Sequence, residues 1–190
     1  ETLASMETDG NAIINDLMYG TGPKPLRFYK QMAQHFFGLE ESWLLETANL
    51  FLIRHPAEVI ASFSKVIDTP VMRDIGFARQ AELFDFLCAH DQQPVVIDGN
   101  ELLKNPRDIL ARACEQLGIP FEPAMLQWPP GPRPEDGSWA RYWYRRLHAS
   151  TGFAPYQPRP RKVPPQLEGL LAEALPHYEK LWAHALRAPA

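Results

Sequence analysis

The sequence is short of several things, and each shortage removes a class of function. Its 190 residues include 2 cysteines, Cys88 and Cys114, both within helical patterns. Two isolated thiols make no disulfide framework and no thiolate metal site, and their setting reads as small buried apolar residues. No apolar run approaches the roughly 20 residues that a bilayer-spanning helix needs, and no basic–apolar leader with a cleavage site occurs. A reducing, cytoplasmic setting without membrane partners is the default expectation. Cationic excess is also missing. There are 19 Lys and Arg against 23 Asp and Glu, a net charge of −4, which argues against a general nucleic-acid binder. No Gly-x-x-x-x-Gly-Lys-Ser/Thr phosphate loop is present. The superficially similar Gly20-Thr-Gly-Pro-Lys24 precedes an expected strand, the wrong order for a phosphate cradle, and reads as a surface turn. No internal repeat is seen.

What is present is globular. Hydrophobic residues make up 45% and aromatics 11%, enough to bury one full core in a single domain spanning 1–190. The pattern alternates strands with helices. Pro25 to Lys30 reads as a strand carrying Phe28 and Tyr29. Met32 to Leu45 reads as mostly helical with a break at Gly38, and Ala4 to Tyr19 as a helix before it. Residues 49–54 and 94–98 are short buried strands. Gly76 to Ala89 is an amphipathic helix with Phe77, Ala81, Phe84 and Cys88 on one face and Leu83 and Leu87 beside it. Alternation of this kind implies a parallel sheet covered on both sides, so 1–119 reads as an α/β core.

The most informative stretch is Ala48 to Lys65. The apolar run Leu50 to Ile53 stops at Arg54. Pro56 then suits the first turn of a helix, whose apolar face would hold Val59, Ile60, Phe63, Val66 and Ile67. Arg54 therefore lies at the carboxyl end of a strand, beside a helix N-terminus. In open α/β sheets ligands bind there. Free N–H groups and the helix dipole favour an anion, and an Arg supplies a permanently charged fork. Ser62, eight residues on, adds a hydroxyl. The plain structural alternative is an Arg that closes a strand and pairs with an acid.

Arg-x-Pro followed by that Ser resembles the 3′-phosphate-binding segment of the sulfotransferases that use 3′-phosphoadenosine 5′-phosphosulfate. A second segment supports the likeness. Pro94 to Pro120 reads as strand, short acidic–leucine turn, and helix ending in Leu117-Gly-Ile-Pro120. Without the family, Asp98, Gly99 and Asn100 read as turn residues. Asn105 caps a helix opened by Pro106 and Asp108, with Ile109, Leu110, Ala113, Cys114 and Leu117 on its apolar face. Gly118 ends it.

The resemblance implies a three-layer α/β/α sandwich with a parallel sheet, of the P-loop nucleoside triphosphate hydrolase type. It implies that Arg54 and Ser62 hold the 3′-phosphate. It also implies a strand and a 5′-phosphosulfate loop near the amino terminus. The chain opens with Glu1 and a helical pattern instead, so the expectation is an N-terminally truncated domain with a gap beside strand 49–54. The family's catalytic His follows a strand ending in Lys, usually by two residues. Here His35 follows Lys30 by five. On this reading His35 is the base and Lys30 contacts the phosphosulfate. His148 is in reserve, and a cationic His55 is a further candidate anion ligand.

From 120 to 165 the composition shifts. Prolines cluster at 129–134 and again at 155–165, marking an excursion rather than helix interior. Between them Ser138 to Ser150 reads as a helix with Trp139, Tyr142, Trp143 and Tyr144, either an acceptor pocket or a satellite core. From Gly137 to Leu167 there is no acid, but Arg141, Arg145, Arg146, Arg159, Arg161 and Lys162 occur. They form either part of an anion site or a solvated basic face. Leu167 to Leu186, within a closing section of 166–190, reads as the last amphipathic helix.

Sulfuryl transfer to a hydroxyl or amine of a small or carbohydrate-like acceptor needs positioning, charge stabilisation and a base, and no metal. Two other classes stay open. One is a P-loop kinase relative, which would need magnesium-binding acids, with Asp98 the obvious candidate. The other is a non-catalytic nucleotide-binding or interaction module that kept the fold. Nucleotide selectivity and magnesium dependence separate the transferase from the kinase reading, and the missing phosphate loop favours the non-catalytic one for the chain as given.

Overall fold

A computed structural model describes residues 7, 9–20, 26–36, 38–133, 136–137, 140, 144–158 and 160–189. In chain order the helices are α1 (Gly10–Tyr19), α2 (Pro56–Phe63), α3 (Met72–Ile75), α4 (Phe77–Ala89), α5 (Gly99–Lys104), α6 (Pro106–Gln116), α7 (Arg145–His148) and α8 (Glu168–His184). The strands are β1 (Leu50–Ile53), β2 (Val95–Asp98) and β3 (Ala185–Leu186). Two compact units result. One holds residues 1–29 and 122–154, the other 30–121 and 155–190. Among the described residues no helix is long and apolar enough to cross a membrane.

The second unit is built on a parallel sheet of order β1-β2-β3. Leu50 pairs with Val95 and Ile53 with Asp98, while Val96 pairs with Ala185. The strand period of two then sorts the side chains between two faces. Ile53, Val96 and Ala185 join Ile60 of α2, Phe77, Ala81 and Phe84 of α4, and Ala174, Tyr178 and Leu181 of α8 in one apolar cluster. Val95, Ile97 and Leu186 join Ile109 and Ala113 of α6 in another. Helices therefore pack on both faces, as the near-continuous apolar strands require.

The segment expected as a strand at Pro25 to Lys30 is not one. Residues 26–30 form no ladder, and Leu26, Phe28 and Tyr29 are exposed. Aromatic content favours strands only where a neighbour and a core face exist, and neither is found here among the described residues. The third strand is β3 instead, two residues that the closing helix was expected to contain. It is held by its flanks. Glu101 Oε2 accepts from Ala188 N at 2.9 Å, and the Arg112 guanidinium donates to Arg187 O. No gap separates β1 from β2. Among the described residues β1 has a strand partner on one side, and Leu52 is exposed.

Several boundaries follow local chemistry. Asn105 Oδ1 accepts from Asp108 N at 3.2 Å, the expected cap of α6. Gly118, at φ 67°, ends the following turn where a Cβ would be strained. Met32 to Leu45 is not mostly helical but carries two short 3-10 turns, Ala33–His35 and Ser42–Glu46. In α4 the buried stripe runs through Leu83 and Leu87, and Cys88 is exposed in the last turn rather than buried. Val66 and Ile67, expected on the α2 face, lie beyond its end at Phe63 and are exposed.

The first unit contains α1, capped by Asp9 Oδ1 accepting from Asn11 N at 2.9 Å, and α7. A bridge pairs Gln127 with Gly152. Residues 21–24 of the expected turn, Pro25 of the expected strand, residues 4–6 and 8 of the first expected helix, and Ser138, Trp139, Arg141, Tyr142, Trp143 and Arg159 lie outside the described residues.

Candidate functional site

The carboxyl ends of the parallel strands carry the polar chemistry of the sheet unit. β1 ends at the buried Ile53, and Arg54 and His55 follow before Pro56 opens α2. His55 is the cap. Its Nδ1 accepts from Ala57 N at 3.2 Å, and its carbonyl accepts from Glu58 N at 2.9 Å. The first donors of α2 are thereby spent, so the helix start does not offer the open N–H groups that the sequence suggested. Burial lowers the His55 pKa from its ordinary 6.5, and the Arg161 charge adds to the fall against the carboxylates of Glu58, Asp98 and Glu179. A neutral ring suits an accepting Nδ1. The cationic His55 considered as an anion ligand is at odds with this geometry.

Arg54 is held differently. Its Nε donates to Glu58 Oε2 at 2.8 Å, one turn along. Glu58 Oε1 accepts from Asn100 Nδ2 at 2.9 Å. The Glu58 side chain is 5% exposed and that of Arg54 39%. Burial alone would raise the Glu58 carboxyl, but hydrogen bonds from Asn100 and Arg54 and the charges of Arg54 and Arg161 outweigh it and hold the pKa low. The two Nη groups of Arg54 have no hydrogen-bond partner among the described residues. A half-exposed guanidinium, fixed through Nε and open at both Nη atoms, is a ready end-on donor to a phosphate or sulfate.

At the end of β2, Asp98 is 1% exposed. Its Oδ1 accepts from Asn100 N at 2.8 Å and Glu101 N at 3.2 Å, capping α5. Its Oδ2 accepts from the Tyr178 hydroxyl at 3.2 Å. Burial raises the Asp98 pKa, partly offset by those three bonds. Both oxygens are committed, so the magnesium role considered for Asp98 does not fit. After β3, the Arg187 guanidinium sits 4.0 Å from the Trp182 ring centroid and donates to Trp182 O at 3.0 Å.

Ser62 is exposed in the last turn of α2. Arg54 and Ser62 flank one helix from opposite ends, with about 9 Å of axial rise between Pro56 and Ser62. Lys30 and His35 are exposed, and the side chain of neither makes a hydrogen bond among the described residues. Because residues 26–30 form no strand, no strand end presents them beside Arg54. His148 belongs to the other unit, where its Nε2 meets Asp136 Oδ2 at 2.8 Å. The basic run is divided as well. Arg145 and Arg146 lie in the first unit, while Arg161 and Lys162 lie in the sheet unit. There they line an open groove of about 530 Å³ with Val163, Glu168, Leu171, Ala172 and Leu175.

Sequence reasoning missed Glu58, Asn100 and Tyr178. The Arg54–Glu58 pair, four residues apart across the start of α2, is short-range enough to be readable in the sequence. The Asn100 and Tyr178 contacts span 42 and 80 residues and leave no local signal.

The sulfotransferase domain family model matches residues 1–185. Two proteins of Arabidopsis thaliana, branched-chain-amino-acid aminotransferase-like protein 1 and branched-chain-amino-acid aminotransferase-like protein 2, are each 37% identical to the chain over 185 residues. Those residues are 97% of this chain and 33% of each relative, so the chain spans about a third of the length of the curated relatives it matches. No solved structure matches.

Proposed function

This chain belongs to the sulfotransferase domain family, and we propose that it transfers a sulfuryl group from 3′-phosphoadenosine 5′-phosphosulfate to a hydroxyl or amine of an acceptor. The observation that carries the reading is Arg54, at the carboxyl end of β1, with Nε fixed by Glu58 and neither Nη atom hydrogen-bonded among the described residues. Such a fork fits the 3′-phosphate that distinguishes this donor from other adenine nucleotides. Ser62 is its proposed companion, a neutral hydroxyl on the helix that follows Arg54. The bound donor would supply the sulfuryl group and a bisphosphate leaving group.

The chain's own tasks follow from that chemistry. One is to hold the nucleotide in register, which assigns Arg54 and Ser62. Another is to take the proton from the acceptor, for which His35 is proposed. Lys30 is proposed to offset charge at the phosphosulfate. Exposure and residue type support these last two, and both residues lie in the same unit as Arg54. The acceptor is proposed to be a small or carbohydrate-like molecule. The fold proposed with this function is the three-layer α/β/α sandwich of the P-loop type, supported by apolar clusters on both faces of the sheet.

Binding of adenosine 3′,5′-bisphosphate and adenosine 5′-monophosphate, measured by calorimetry with and without magnesium, tests the reading. The bisphosphate is expected to bind at least about tenfold tighter, without magnesium, since one charge-assisted contact is worth at least that ratio. Equal affinity, or strict magnesium dependence, would turn the assignment toward a phosphotransferase.

A further inference from the structure

We infer that Glu58 is a positioning residue for anion recognition: its buried carboxylate, anchored by Asn100, sets the direction in which Arg54 presents its guanidinium. The inference rests on the reading of Arg54 as the 3′-phosphate ligand and adds how that ligand is aimed.

The geometry offers two opposed roles for Glu58. A carboxylate beside an anion site repels the anion, so its charge weakens binding. A carboxylate that fixes the guanidinium saves the ordering of a long side chain when the anion arrives, so its hydrogen bonds strengthen binding. The contacts favour the second role. Glu58 meets Arg54 through Nε, which leaves the Nη1–Nη2 end without a partner among the described residues and suited to a two-point contact. The carboxylate does not swing, because its other oxygen is held by Asn100 Nδ2 at 2.9 Å. Asn100 is itself fixed, since its backbone N–H is bound at 2.8 Å by Asp98, which is buried at the end of β2. A chain of three hydrogen bonds therefore ties the end of β1 to the end of β2. An Arg on a free side chain has no such reference.

Orientation and charge come apart in two substitutions. Glu58→Gln removes the charge and keeps an oxygen for Arg54 Nε, while Asn100 turns its amide to present Oδ1 to the new glutamine nitrogen. Glu58→Ala removes both charge and acceptor. The readout is the ratio of affinities for adenosine 3′,5′-bisphosphate and adenosine 5′-monophosphate, by calorimetry on the whole protein. General loosening of the fold lowers both affinities and leaves the ratio unchanged. Loss of aim lowers the bisphosphate alone. Glu58→Ala is expected to cut the ratio at least fivefold, and Glu58→Gln to keep it within threefold of the parent. An unchanged ratio in Glu58→Ala, or equal loss in both variants, would overturn the inference. If Glu58→Ala does not fold, Asn100→Ala replaces it, with a twofold to fivefold fall expected and no change decisive against. A parent protein that does not discriminate the two nucleotides would instead remove the proposed function beneath.

Discussion

Tyr178 of α8 donates its hydroxyl to Asp98 Oδ2 at 3.2 Å, joining the closing helix to the carboxyl end of the central strand 80 residues away. Both groups are buried, and burial raises both pKa values, so the pair is a neutral hydroxyl facing a carboxylate that is costly to hold. Tyr178→Phe deletes the donor and leaves that oxygen without it. We expect a loss of about 1–3 kcal/mol, the cost of an unsatisfied buried acceptor. Urea unfolding measures it. A midpoint equal to that of the parent would show the bond to be worth nothing net.

His55 gives a pH dependence with a definite sign. Its folded pKa lies below the ordinary 6.5, chiefly through burial. The unfolded chain therefore takes up the proton first as pH falls, and the stability that neutral His55 contributes is complete above about 6.5 and lost below it. The structural counterpart is that a protonated Nδ1 cannot accept from Ala57 N. In His55→Asn the cap is kept without a titrating group. Unfolding midpoints compared at about pH 7.5 and 5.5 should fall less in His55→Asn than in the parent. An identical fall would assign the dependence to other groups.

Glu58 acts in a lower window. Its folded pKa is below the ordinary 4.5, because the bonds from Asn100 and Arg54 and nearby positive charge exceed the burial cost. Its contribution to stability is present above about 4.5 and lost as pH falls through the folded value. Glu58→Gln should flatten the acid limb of the stability profile, read by thermal melts across that range. A limb of unchanged slope would contradict the assignment.

Arg54→Ala is expected to weaken binding of adenosine 3′,5′-bisphosphate by about 2–4 kcal/mol, through loss of a charge-assisted fork. Ser62→Ala should cost less, about 1 kcal/mol, as for one neutral donor. Titration calorimetry on each variant decides the matter, and undiminished affinity in Arg54→Ala would end the phosphate assignment.

Asn105→Ala removes the cap of α6 and should destabilise the protein by about 1 kcal/mol. Replacement by Ser should recover most of that in the same melts. A Ser variant no better than Ala would mean that the bond to Asp108 N carries no weight.

By itself the sequence determined the elements whose signal is local. The apolar runs at 50–53 and 95–97 became β1 and β2 because a run too short for a helix, closed by Arg54 or Asp98, has a parallel sheet as its stable buried form. Asn105-Pro106 and Gly118 set the bounds of the α6 region through capping and left-handed φ, which depend on a few neighbours. Arg54 was placed at a strand end by the same reasoning, and the sulfotransferase family was legible from two short segments. Tertiary structure decided the rest. Residues 26–30 carried strand-forming aromatics but gained no strand partner among the described residues, and β3 formed from two residues too few to show a period. It exists because Glu101 and Arg112 hold the chain against β2. The fixing of Arg54 by Glu58 and Asn100, and of Asp98 by Tyr178, joins residues far apart in sequence. Pairwise contacts at such separations are set by packing, which no local pattern encodes.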